Sequence, residues 1–201
     1  TLEIFMRKLF FLILLSAHLF GYTRHDIDMA IYGVAVSQGV QPEVLYTIVK
    51  IESDFDPFTI SFLTNMENAK YFSNLSSPNI DVKISKYSLN NTKWAVAIHP
   101  ANEILAMQIA SLLIKDGFNI DVGLGQLNSV NFTPDEIPQI FSPTYNLTKC
   151  AKVLRKCFNA KNKNLTNTIE CYNYGMRRRP SNPYFNKFFR HYKEFFGDPT
   201  R

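Results

Sequence analysis

Glu52 is the residue around which chemistry could be built. Pro42 opens a helix, and Leu45, Ile48 and Val49 stand seven, four and three residues before Glu52, so all four share one face. A carboxyl that continues an apolar stripe loses hydration more as the anion than as the acid, and its pKa rises. A raised pKa suits a general acid at neutral pH. The bland alternative is an amphipathic helix whose last turn has reached solvent, and for glutamate taken alone the ordinary frequency of burial favours that alternative.

Several elements must position such an acid. Thr23 to Ser37 reads as a helix closed by Gly39, and the helix of Glu52 follows, with Pro42 at its first position and Glu43 in its first turn. Val82 and Ile84, then Trp94, Val96 and Ile98, alternate with polar residues around an Asn90–Asn91 turn, a β-hairpin insert. A helix from about Ala101 to Lys115 follows, with Leu105, Ile109, Leu112 and Leu113 inward and Gly117 as its stop. Thr133 with Glu136 fits a capping box. Ser142 and Pro143 open a helix whose stripe is Leu147, Cys150, Ala151, Leu154, Cys157 and Phe158. A short helix over Ile169 to Tyr174 ends at Gly175, and Asn182 and Pro183 begin the last one, striped by Phe185, Phe189, Tyr192 and Phe196. Phe62 to Asn79 reads as a polar stretch, and no repeat or linker interrupts the chain.

The chain has 201 residues, 46% of them apolar, with net charge +5 and pI near 9.0. That is room for one domain with its own core, and the positive balance favours anionic partners without choosing among them. From Met6, Arg7 and Lys8 precede an apolar run, Leu9 to Leu15, and then the small residues Ser16, Ala17 and Gly21. This is the layout of a secretory signal peptide, too short to span a bilayer, with cleavage open between Ala17 and Gly21. Thr1 to Phe5 form an upstream extension, so residues 1–21 are extension and signal, and 22–201 the functional domain.

Export allows a disulfide among three cysteines. Cys150 and Cys157 lie seven apart on one expected helix, with Cα atoms about 10.5 Å apart, beyond bridging range. Cys157–Cys171 is the preferred bridge, leaving Cys150 a buried thiol; three reduced core cysteines are the alternative. His18, His25, His99 and His191 are scattered without metal spacing, so neither a metal nor a cofactor is expected. "GLG" lacks the third glycine and the preceding strand of a nucleotide loop, and no nucleic-acid partner is expected. Arg177, Arg178 and Arg179 read as a solvated turn, with a hold on peptide carboxylates or glycan as the lesser alternative.

Three blocks then stand in order: "ESDFDPFTIS" over Glu52–Ser61, "GLGQLN" over Gly123–Asn128 and "CYNYG" over Cys171–Gly175. They resemble the E-S-x-F-x-P-x-x-x-S, G-L-x-Q-[IL]-N and [AC]-Y-N-x-G motifs of soluble lytic transglycosylases. The resemblance spans most of the chain after the signal and reverses the odds against Glu52. It implies a mainly α (α+β) goose-lysozyme-like fold, a helical catalytic domain with a small β-hairpin insert. "EILAMQIASLLIKDGFNIDVGLGQLN" is most similar to the members encoded with type IV secretion and conjugation machinery.

The resemblance implies cleavage of the β-1,4 bond between N-acetylmuramic acid and N-acetylglucosamine in peptidoglycan, in the periplasm. Its partners would be glycan strands and type IV secretion components, with membrane contact only through the signal segment. Glu52 would be the single acid and base, with the sugar's own C6 hydroxyl as nucleophile and a 1,6-anhydro product. Gly123 and Gly125 would let backbone approach the sugar, Gln126 would offer its amide to an N-acetyl group, and Tyr172 and Asn173 would face the cleft. Ser61 carries over as a hydroxyl near the reacting sugar. Many relatives have methionine in place of Gly125, and Tyr174 replaces a small residue. Asp121 would make hydrolysis the better reading if it held a water against Glu52; a loop-ordering carboxylate is preferred. The alternatives to the transglycosylase are a hydrolytic lysozyme and a non-catalytic wall-binding assembly factor.

Overall fold

Helix α1 (Arg24–Gln38) starts where Thr23 and Asp26 cap one another, Asp26 N–H donating to the threonine Oγ1 at 3.2 Å and Thr23 N–H to the Asp26 carboxylate at 2.9 Å. Gly39 ends it with φ 64°, a left-handed turn that glycine adopts without strain. Pro42 sits at the first turn of α2 (Pro42–Ser53), and Asp54 and Phe55, at φ 52° and 65°, reverse the chain into β1 (Ile60–Thr64). The computed structural model describes residues 21–87, 92–177 and 181–198. The signal-like segment before Gly21, with His18, the Asn90–Asn91 turn and the pair Arg178 and Arg179 lie outside the described residues.

After α3 (Met66–Ser73) come β2 (Ile80–Lys86), β3 (Trp94–Pro100), α4 (Glu103–Lys115), β4 (Ile120–Val122) and β5 (Leu127–Asn128). Two 3-10 turns and the short α5 (Ile137–Ile140) lead to α6 (Pro143–Ala160), α7 (Leu165–Tyr174) and α8 (Pro183–Phe196). The molecule is thus mainly helical with a small antiparallel sheet. The expected hairpin is present, Val82 opposite Ile98 and Lys86 opposite Trp94, but it is two strands of five, in the order β2-β3-β1-β4-β5. Ile60 pairs with Ile98 on one side and Val122 on the other, and Asp121 pairs with Asn128.

The stretch read as polar, 62–79, therefore holds the end of a strand and a helix. Phe62 and Phe72 are its buried anchors, their rings 4.9 Å apart, and Asn65 caps α3 by accepting from Asn68 N–H at 2.8 Å. Strands β4 and β5, three and two residues long, are too short for alternation to register. Their burial is decided by what packs over them.

One apolar cluster joins the sheet to α4 through Phe62, Val96, Ile98, Leu105, Ile109 and Leu113; Leu112, expected inward with them, is only half-buried. A second joins α1, α2 and α6 through Ile31, Leu45, Val49 and Leu147. The third matters most for the site: Val44 and Ile48 of α2 meet Leu154, Ile169, Tyr184 and Phe188. Burying a ring such as Phe188 contributes about 2 to 3 kcal/mol.

Helix α8 is rotated from its expected face. Tyr184 and Phe188 are buried, whereas Phe185, Phe189 and Tyr192 are half-buried and Phe196 is exposed. Aromatic residues come in pairs at 184/185, 188/189 and 195/196, so two stripes fit the helical period equally, and the α2–α7 surface selects one. Phe158, at the end of the α6 stripe, is 38% exposed because the last turn outruns its packing.

Candidate active site

Glu52 lies one turn beyond Ile48, at the edge of the third cluster, and its residue as a whole is half-buried. Burial of the carboxyl pushes its pKa from 4.5 up to about 7; the charge of Asp121 adds to this, while a hydrogen bond from Tyr184 and the charge of Lys187 oppose it. The Tyr184 hydroxyl donates directly to the Glu52 Oε1 across 132 residues of sequence. An acid that ionises near 7 is half-protonated at neutral pH, and it can both give and take a proton there.

The three sequence blocks are bonded to one another around this acid. Ser53, next to Glu52, donates from its Oγ to Leu124 O at 2.9 Å, fastening the end of α2 to the glycine loop. Ser61 donates to the Gln126 Oε1 at 2.6 Å, and the Gln126 Nε2 donates to Thr59 O at 3.1 Å and Gly123 O at 3.0 Å. Tyr172 donates from its hydroxyl to Gly125 O at 2.7 Å. The Gln126 amide is thus engaged on both its atoms within the protein, and Gln126 itself sits at φ 46°.

The two glycines answer to close packing. Gly123 has φ 74°, and a Cβ there would stand 2.4 Å from the Asn146 Nδ2. At Gly125 a Cβ would stand 2.4 Å from the Cys150 Sγ and 2.9 Å from the Tyr172 hydroxyl. Both are buried against α6 and α7. Asn173, the neighbour of Tyr172, is exposed on α7. Asp121 accepts from the Asn128 Nδ2 at 2.8 Å, a side-chain amide and not the backbone amides expected, and burial raises its pKa.

Sequence reasoning missed three residues here. Tyr184 was hidden by the paired aromatics of α8. Asn146, fully buried on the α6 stripe, donates to Val122 O and Ile140 O at 3.0 Å each and accepts from Gly125 N–H at 3.0 Å. A polar residue on an apolar stripe is the signal that singled out Glu52, and it would have found Asn146 too. Ser53, already inside the first block, was passed over because its partner lies 71 residues away.

Cys157 and Cys171 are joined in a disulfide with Cα atoms 5.7 Å apart, tying α6 to α7 immediately before Tyr172. Cys150 is a free, buried thiol whose pKa burial pushes up to about 12, and the Tyr172 hydroxyl beside it is likewise raised by burial. Both stay neutral across the physiological range. An open apolar depression of about 410 Å³, lined by Met107, Leu112, Pro134 and Ile137, is built from other residues between α4 and α5.

A model of the family described as the Transglycosylase SLT domain matches residues 29–188. That span begins inside α1 and closes within α8, so it takes in Glu52, the glycine loop, Tyr172 and Tyr184. No curated protein and no solved structure matches the chain significantly.

Proposed function

The chain belongs to the Transglycosylase SLT domain family, whose members are lytic transglycosylases acting on peptidoglycan, and from that premise we propose a mechanism in which Glu52 works alone. Protonated Glu52 gives its proton to the glycosidic oxygen between N-acetylmuramic acid and N-acetylglucosamine. The C1–O bond breaks, and positive charge develops at C1 of the muramic sugar. The resulting Glu52 carboxylate takes the proton of that sugar's C6 hydroxyl as O6 closes onto C1. The products are a 1,6-anhydro end and a free 4-hydroxyl; no water is consumed, and Glu52 is again protonated.

The observation that carries this reading is an acid poised at about 7 by burial, held by the Tyr184 hydroxyl. In this proposal Ser61, Gln126, Tyr172 and Asn173 form the surrounding sugar site, while Gly123 and Gly125 let the loop that carries Gln126 pack closely on Asn146 and Cys150. The internal bonds of Ser61, Gln126 and Tyr172 support a role in shaping that site. Residues 22–201 act as the catalytic domain and 1–21 as an export signal, placing the enzyme in the periplasm, where it opens the wall for a type IV secretion apparatus. The likeness of residues 103–128 to secretion-linked members supports that setting.

Digestion of purified sacculi by wild type and Glu52→Gln, with mass analysis of the fragments, is the test. Anhydro ends from wild type alone are expected. Reducing ends would favour hydrolysis, the second reading, to which the charge that Asp121 exerts on Glu52 lends support; Asp121→Asn would then abolish turnover. Equal inactivity of wild type and Glu52→Gln would leave a wall-binding assembly factor.

A further inference from the structure

Charge is segregated along this chain. Between Ile137 and Lys193 stand twelve Lys and Arg and one carboxylate, Glu170, which is buried and accepts from Phe185 N–H at 2.8 Å. Between Gly21 and Glu136 stand seven cations and thirteen carboxylates. Glu52 sits on the seam: it and Asp121 come from the acidic part, and Tyr184 on α8 comes from the basic part.

Lys187 follows Tyr184 by three residues, about 4.5 Å further along α8. It is exposed, and its charge reaches Glu52. Arg190 continues at the next three-residue step, on the same face and also exposed. Neither has an ion-pair partner among the described residues. The carboxylates of this region are engaged elsewhere, Glu194 with His191 at 3.2 Å and Asp198 with Lys193 at 3.1 Å. Two uncommitted cations on a rigid helix, one of them a single turn beyond the tyrosine that bonds the acid, suit an anion on the substrate near the bond being cleaved.

Peptidoglycan supplies one. Its peptide stem hangs from the lactyl group of the muramic sugar and carries several carboxylates. We propose that Lys187 and Arg190 form an anion subsite for the stem-peptide carboxylates next to the scissile bond, so that the enzyme favours peptide-bearing glycan with its carboxylates intact. The subsite rests on the reading of Glu52 as the acid that cleaves this polymer, and it adds a specificity that the sugar site alone does not supply.

The test compares native sacculi with sacculi whose carboxylates have been converted to amides by carbodiimide and ammonia. Wild type is expected to lose about 3- to 10-fold in kcat/KM on the amidated wall at low salt, the range that exposed charge pairs supply, and the difference should shrink in high salt. In the double variant Lys187→Gln and Arg190→Gln the native-to-amidated ratio should fall to near one; in Lys187→Glu it should invert, and in Lys187→Arg it should persist. A wild type indifferent to amidation, or a double Gln variant that keeps the wild-type ratio, overturns the subsite. Co-sedimentation of Glu52→Gln with the two sacculi reads binding without turnover. If wild type cleaves neither preparation, the catalytic reading fails, and equal sedimentation would separately sink the subsite.

Discussion

Replacing Glu52 by glutamine should make the protein more stable as it makes it inactive, by an amount that depends on pH. A carboxyl that ionises at about 7 when folded and at 4.5 when exposed is harder to ionise in the native state. Below about pH 4.5 both states carry the proton and the group costs nothing. Between 4.5 and 7 the unfolded chain ionises first, so stability declines; above 7 the cost levels at about 3 kcal/mol. Glutamine keeps an acceptor for Tyr184 and carries no charge at any pH. Glu52→Gln should therefore melt close to wild type at pH 4.5 and roughly 5 to 10 °C above it at pH 8. Tyr184, Asp121 and Lys187, the groups that act on the acid, are present in both proteins, so the comparison changes the acid alone. Scanning calorimetry of the pair across this range gives the answer. Equal melting temperatures at pH 8, or a glutamine advantage that is the same at pH 4.5 and 8, would refute the burial of the acid on which the mechanism stands.

Tyr184→Phe removes the hydrogen bond that favours the charged form of Glu52. The alkaline limb of the pH–rate profile should move upward while kcat drops about tenfold, the loss expected for one bond to a reacting group; an unmoved limb would mean that the hydroxyl does not act on the acid. Gly125→Ala drives a methyl into the Cys150 Sγ and should cost about 1 to 3 kcal/mol in urea unfolding, part of it recovered by adding Cys150→Ala. Exchanging Cys157 for serine opens a loop with a sequence separation of 14 and should lower stability by about 3 kcal/mol in denaturant titration under oxidising conditions, with little effect once wild type is reduced.

The helices were legible because their ends are chemically marked. Thr23 with Asp26, Pro42, Gly117, Thr133 with Glu136, and Pro143 all stand where capping chemistry places them. Glu52 was legible because one charged residue broke an apolar period. The sheet was only half legible: β1 lies partly within a polar-looking stretch, and two of the other strands, β4 and β5, are no longer than three residues, so pairing across the fold decides them. The bonds that shape the site were the least visible. Ser53 to Leu124, Ser61 to Gln126 and Tyr172 to Gly125 span 71, 65 and 47 residues, beyond any window of local pattern. Aromatic residues on both candidate faces of α8 hid Tyr184 in the same way, since only a neighbouring surface could choose between them.

The long reach between Glu52 and Tyr184 also bears on the order of assembly. Helix α8 comes at the far end of the described chain, and its start is held by Glu170 of α7, so it docks only on a body that is already largely built. Until then the acid has neither the Tyr184 hydroxyl nor the Lys187 charge beside it, the two groups that favour its charged form. A chain cut back before α8 would therefore lose the Tyr184 hydroxyl and the Lys187 charge from around Glu52 together.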